Sequence, residues 1–181
     1  MRRKSVTTEM MKSYIADALL ILMDKKDYKD ITIGEIVNKA GVNRSTYYRH
    51  FEKKDDVIRY FLDKISKDIL EWDKMKESSF EEHLINVYRH YHKHKTQMLT
   101  IYNNNLSILF LDVLKKYLGA DTHKEMPAAI QYNIAFHIGG TFNHFLFWFS
   151  RDMADSPEEM ADYTLAILPN NLIEYIWNAP K

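Results

Sequence analysis

Cysteine is absent from the 181-residue chain, which excludes disulfide scaffolds, cysteine nucleophiles and thiolate metal sites. Glycine (5) and proline (4) are scarce, so few chain reversals are encoded and long helices are favoured over many short strands. No apolar run reaches the roughly 20 residues that span a bilayer. The most apolar stretch, 134–149, is interrupted by His137, Asn143 and His144. Arg2, Arg3 and Lys4 resemble the basic start of an export signal, but Ser5, Thr7, Thr8, Glu9 and Lys12 follow where an apolar segment belongs. The expectation is a soluble protein of the reducing cytoplasm. Hydrophobic residues make up 46% of the chain, enough to bury a core and to argue against disorder.

Enzyme signatures are missing as well. The chain has no Walker A loop, no GxSxG, no GxGxxG and no HExxH. His90 and His94 share a helix face, yet two imidazoles four residues apart, without a third ligand, fall short of a zinc site. The reading is a non-enzyme that needs neither cofactor nor metal.

Acidic and basic residues balance at 25 each, but unevenly along the chain. Residues 1–54 carry 12 Lys/Arg against 7 Asp/Glu, and the remainder 13 against 18. Between Lys39 and Lys54, five basic residues face Glu52 alone. A basic module joined to an acidic one points to a polyanionic partner for the first; a solvated charged surface is the alternative.

Organisation favours the partner. From Thr8 to Lys26, Met11, Ile15, Ala18, Leu19, Leu22 and Met23 recur at helical spacing. Thr32 with Glu35 three residues on forms a capping box, Ile36, Val37 and Ala40 form the buried side of a second helix, and Gly41 ends it. Asn43 then caps a third short helix running to about His50 or Phe51. Helix, tight turn and helix make a helix-turn-helix. With Tyr47 and Phe51 as anchors, Arg44, Ser45, Thr46, Tyr48, Arg49 and His50 form the opposite side. All six can donate hydrogen bonds and none is acidic, a surface suited to phosphates and base edges.

The stretch from Ile31 to Lys54 resembles the DNA-binding domain of the TetR/AcrR family of bacterial transcriptional regulators. The likeness rests on Thr32 opening the second helix, Ala40-Gly41-Val42 at the turn, Tyr48-Arg49-His50-Phe51, and Lys54 three residues later. It implies double-stranded DNA as partner. Arg44, Ser45 and Thr46 correspond to positions near base edges, and Tyr48 and His50 to phosphate-contacting ones. Lys54 corresponds to a phosphate-binding lysine at the start of the fourth helix, where the dipole attracts an anion. Thr32 and Arg49 are grouped with this surface.

The expected fold is all-α: a DNA-binding domain of three helices over residues 1–54, then a helical ligand-binding and dimerisation domain over 55–181. Val57, Ile58, Phe61, Leu62, Ile65, Ile69 and Trp72 stripe a connecting helix. Ser79-Glu82 and Ser156-Pro157-Glu158-Glu159 open later helices. Leu106 to Leu118, ended by Gly119, is a further helix, and Pro169 breaks the last before Leu172 to Trp177. The helix from Pro127 to Ser150 is apolar on many sides. Ile138, Phe142, Phe145, Trp148 and Phe149, with Gly139 and Gly140 allowing close approach, are expected at a homodimer interface; burial in the chain's own core is the alternative. Trp72, Tyr88, Tyr91, Tyr102, Phe110 and Phe136, with His137, Asn143 and His144, are candidates for a small-molecule site; ordinary core packing is the competing explanation. The functional expectation is a homodimeric repressor released from a palindromic operator by a small-molecule inducer. The alternative is a DNA-binding protein whose acidic half recruits another protein.

Overall fold

Three helix starts are set by the same local device. Thr32, Ser79 and Ser156 each accept the amide of a glutamate three residues on, while that glutamate's carboxylate takes the cap residue's own amide. Two otherwise orphaned donors are satisfied at each start. The computed structural model describes the backbone of residues 2–73, 79–118 and 127–169, and the side chains of 7–69, 79–118 and 127–169. Among the described residues the regular structure is entirely helical: α1 Arg2–Met23, a 3-10 turn Tyr28–Asp30, α2 Ile33–Ala40, α3 Arg44–His50, α4 Lys54–Asp73, α5 Phe80–Lys93, α6 Lys95–Asn103, α7 Ile108–Tyr117, α8 Ala128–Ser150 and α9 Pro157–Ile167.

Gly41 closes α2 in the left-handed region, at φ 67°, and Val42 donates back to Val37 across the turn. A Cβ at Gly41 would touch nothing within 4 Å, so glycine is there for its backbone freedom alone. A break separates α5 from α6. His94 ends one helix and begins the next at φ −102° and ψ 24°, and no glycine or proline marks it. Asn105 provides a second break, at φ 59°, a conformation asparagine tolerates better than most residues. Gly119 and Leu172 to Trp177 lie outside the described residues. Arg2 begins α1 as backbone, whereas the side chains of Arg2, Arg3 and Lys4 are not among those described.

The apolar stripes converge on one large core, with a smaller cluster around Ile134 and Ile138 of α8. Ile15 and Leu19 of α1, Ile36 of α2 and Tyr47 of α3 are fully buried, as are Ile58 and Leu62 of α4. The same cluster continues through Tyr88, Phe110, Phe145 and Trp148. Helix α4 is the shared wall: it packs against α1 on the amino-terminal side and against α5 and α7 beyond. Helices α5 and α9 pack most extensively of any pair, and α7 lies against α8. Gly41→Ala should cost roughly 1 kcal/mol, the price of a left-handed residue bearing a Cβ, read as a lower urea midpoint with an unchanged denaturant slope.

Candidate nucleic-acid interface and interior cavity

Helix α3 is seven residues long, too short to persist without tertiary support. Its support comes from one side. Tyr47 is wholly buried and Phe51 nearly so, their ring centroids 5.9 Å apart. Burial, and the nearby Asp56 carboxylate, push the Tyr47 hydroxyl up to about 12. That hydroxyl has no hydrogen-bond partner among the described residues. Asn43 caps the helix by accepting from the Thr46 amide at 2.8 Å, and it takes the Ser45 hydroxyl at 2.7 Å. Arg44, Ser45, Tyr48 and Arg49 face solvent, and Thr46 and His50 are half-buried at its edges. Tyr48, at 58% exposure, stands out as a large aromatic on a polar face. Gly34 leaves room beside Arg44: a Cβ there would come within 3.2 Å of a guanidinium nitrogen. His50 is held below the usual imidazole range by burial and by the charges of Lys12 and Arg49, so at neutral pH it offers an uncharged N–H.

Two of the expected contact residues are engaged within the chain. The Thr32 hydroxyl donates to Glu35 at 2.8 Å, so its single proton serves the helix cap. Lys26, with Thr32, holds the Glu35 carboxyl down at about 2. The Lys54 ammonium is spent more completely. It donates to the carbonyl oxygens of Tyr28 at 2.5 Å and Ile31 at 2.7 Å, with Lys29 at 3.4 Å, and lies 4.5 Å from the Tyr28 ring centre. Burial lowers its affinity for a proton. The amides just before α4, those of Glu52 and Lys53, already donate to Asp56 at 3.2 and 3.0 Å. In this structure the Lys54 ammonium clamps the 3-10 turn onto α4.

Tyr28 is the residue that sequence reasoning missed. Its amide donates to Asn104 of the α6–α7 turn at 3.0 Å and its hydroxyl to Asp55 at 2.5 Å. Burial and the Asp55 bond both raise its pKa. A tyrosine in a polar loop carries no periodicity, so nothing local announces that role.

Beyond α4, helices α5, α7, α8 and α9 close around a cavity of about 140 Å³. Tyr88, Tyr91 and His137 line it. The other ligand candidates whose side chains are described do not line it. Phe110 is core, edge-on to Tyr91 and Phe145. Tyr102 packs on Phe149, and Phe136 is 76% exposed. Asn143 is exposed and donates to Gly139 within its own helix at 3.0 Å. Trp72 falls outside the described side chains. His144 lies 3.5 Å from the Thr164 hydroxyl, its pKa depressed by burial. Ser66, Thr141 and Thr164 also line the cavity, though single hydroxyls in apolar helices gave no signal. Burial pushes Tyr88 up to about 12, so its hydroxyl stays protonated at neutral pH.

The expected interface residues need a correction. Ile138, Phe145, Trp148 and Phe149 are buried inside the protomer and Phe142 is half-buried against the same core. Ile138, Phe145, Trp148 and Phe149 therefore have almost no surface left for a partner, whereas Phe142 keeps part of its own. The outward aromatics of α8 are instead Tyr132, Phe136 and Phe147, joined by Tyr163 and Ile167 of α9. A helix apolar on every side offers no sequence clue to which side faces inward. His90 and His94 sit with ring centres 5.3 Å apart, and no group of three potential metal ligands occurs among the described residues. No helix among them is long and apolar enough to cross a membrane.

Residues 15–61 match the family of bacterial regulatory proteins, tetR family. Over 70 residues the chain is 29% identical to the uncharacterized HTH-type transcriptional regulator YxbF of Bacillus subtilis (strain 168). That alignment covers 39% of this chain and 18% of the longer relative, so the chain spans less than a fifth of that protein's length. The fold is similar to that of the TetR transcriptional regulator from Streptococcus agalactiae 2603V, with a TM-score of 0.62 at 19% identity, over 92% of this chain and 97% of that one.

Lys54→Met should destabilise the chain by about 1–3 kcal/mol in urea denaturation, because partly buried carbonyls lose a charged donor. In a variant that remains folded, the salt dependence of duplex binding should match wild type.

Proposed function

From the premise that the chain belongs to the TetR family of bacterial transcriptional regulators, we propose that it is a homodimeric repressor of the cytoplasm that leaves a palindromic operator when a small molecule occupies its interior cavity. The observation that carries this reading is the division of α3 into a buried aromatic side, Tyr47 with Phe51, and a solvent side rich in donors. An α-helix fits the major groove, and donors on its outer side match the acceptors of guanine and of the phosphates. Arg44, beside the α2–α3 turn, is assigned to base edges together with Ser45 and Thr46. Tyr48, Arg49 and His50 are assigned to the backbone.

A single seven-residue helix reads too few base pairs for useful specificity, and a two-fold pair about 34–36 Å apart, or a multiple of that, reads two half-sites. The pairing surface is assigned to the exposed sides of α8 and α9. Tyr132, Phe136, Phe147, Tyr163 and Ile167 are large apolar side chains exposed on these two helices, and grouped exposed apolar residues mark interaction surfaces. Gly139 and Gly140 support this choice, since a Cβ at either would meet nothing within 4 Å among the described residues. Glycine weakens a helix interior by roughly 0.5–1 kcal/mol relative to alanine, so its presence twice in mid-helix suits close approach of a second helix. The division of labour falls at α4: residues 1–54 as the reading head and 55–181 as the sensing and pairing body.

Selection of bound duplexes from a random pool should return an inverted repeat. Arg44→Ala should relax the preference at one position per half-site by about 1–3 kcal/mol, whereas Tyr48→Phe should weaken all duplexes alike. Equal affinity of wild type and Arg44→Ala for selected and random duplexes would defeat the base-reading assignment. In sedimentation, Phe136→Glu with Phe147→Glu should give a folded monomer. Gly140→Leu should do the same while leaving the helical content unchanged.

A further inference from the structure

Among the described residues lining the cavity there is no lysine, arginine, aspartate or glutamate. Ile69, Leu84, Leu114, Ile134 and Phe145 make up much of its wall. A carboxylate, phosphate or ammonium moved into such a space loses its hydration and gains no fixed opposite charge.

Two pairs of hydroxyls interrupt the apolar wall, and a carbonyl acceptor beside each serine or threonine favours one direction of donation. Ser66 donates to the Leu62 carbonyl of its own helix at 2.9 Å, so in the 2.7 Å contact with Tyr91 the tyrosine is the donor. Thr164 donates to the Met160 carbonyl at 2.8 Å, so across 2.6 Å Tyr88 donates to Thr164. Each phenolic oxygen has spent its one proton and keeps lone pairs. The polar complement of the cavity at these two points is therefore a donor.

Size sets the remaining limit. A cavity of about 140 Å³ compares with an engineered apolar cavity of roughly 150 Å³ that stays dry and takes up benzene. Resting on the reading of this cavity as the sensing site, the geometry points to a neutral, flat, single-ring ligand that carries one hydrogen-bond donor, a phenol-like or indole-like molecule. Tyr91 accepts that donor beside Ser66, and Ser66 belongs to α4, which packs against α1. Occupancy thus acts on the helix common to head and body. The rival chemistry is an anion held by a protonated imidazole, since His83 and His137 also line the wall.

Calorimetric titration of the full chain near pH 8 separates these chemistries with three probes of nearly equal size. 4-Ethylphenol should bind saturably, one per chain. Its isomer 4-methylanisole, neutral but without a donor, should bind about fivefold more weakly, the worth of one net hydrogen bond. 4-Methylbenzoate should bind at least about tenfold more weakly, since its charge is left unpaired. Val87→Phe and Thr141→Leu, each narrowing the cavity, should weaken 4-ethylphenol about tenfold or more, with thermal melting showing that each variant folds. Equal or tighter binding of the anisole or the benzoate overturns the ligand class. So does the absence of saturable binding by 4-ethylphenol, or binding that neither narrowing variant disturbs in its folded form. A phenol that binds as described and leaves duplex affinity unchanged supports the ligand class while refuting release by ligand, so the two readings fail separately.

Discussion

The anchoring of α3 through one side only is the constraint on which the rest of the molecule depends. Tyr47 and Phe51 fill the space between α1 and α4, and their burial replaces the stability that a seven-residue helix cannot supply for itself. Because apolar contacts on one side hold the helix, the other side is free to carry polar groups that do nothing for folding. Arg44, Tyr48 and Arg49 stand in solvent at a helix fixed in position. A rigid support also limits the entropy lost when these side chains meet a partner.

The same economy explains Lys54. The ammonium from the first residue of α4 collects the carbonyls of Tyr28, in the 3-10 turn, and of Ile31, just after it. Asp55 and Asp56, the next two residues, take the Tyr28 hydroxyl and the amides preceding the helix. One turn of α4 thus fixes the approach to α2, and through Asn104 the same loop is tied to the α6–α7 turn. Through these contacts the segment that precedes α2, the start of α4 and the α6–α7 turn meet at one junction.

Features set by near neighbours were legible in the sequence. Three capping boxes, the left-handed Gly41 and the Asn43 cap each depend on residues within four positions, and each was readable from spacing. The inner side of α3 followed from two aromatics four residues apart. What the sequence concealed was set at a distance. The partners of Lys54 lie 23 to 26 residues away, and Tyr28 joins three segments that share no pattern. Helix α8 failed for another reason: with apolar residues on every side, its periodicity could not distinguish Phe145 and Trp148, which are buried, from Phe136 and Phe147, which are exposed.

The central claim is electrostatic and geometric at once: a fixed, donor-bearing helix face, duplicated by symmetry, lies in the groove of duplex DNA. Fluorescence anisotropy of a labelled duplex, titrated with the purified chain over a range of salt concentrations, tests it most directly. The account predicts binding whose logarithmic affinity falls linearly with the logarithm of salt, as counterions are released, and a stoichiometry of two chains per duplex. Failure to bind duplex even in dilute buffer, or binding indifferent to salt, would contradict it.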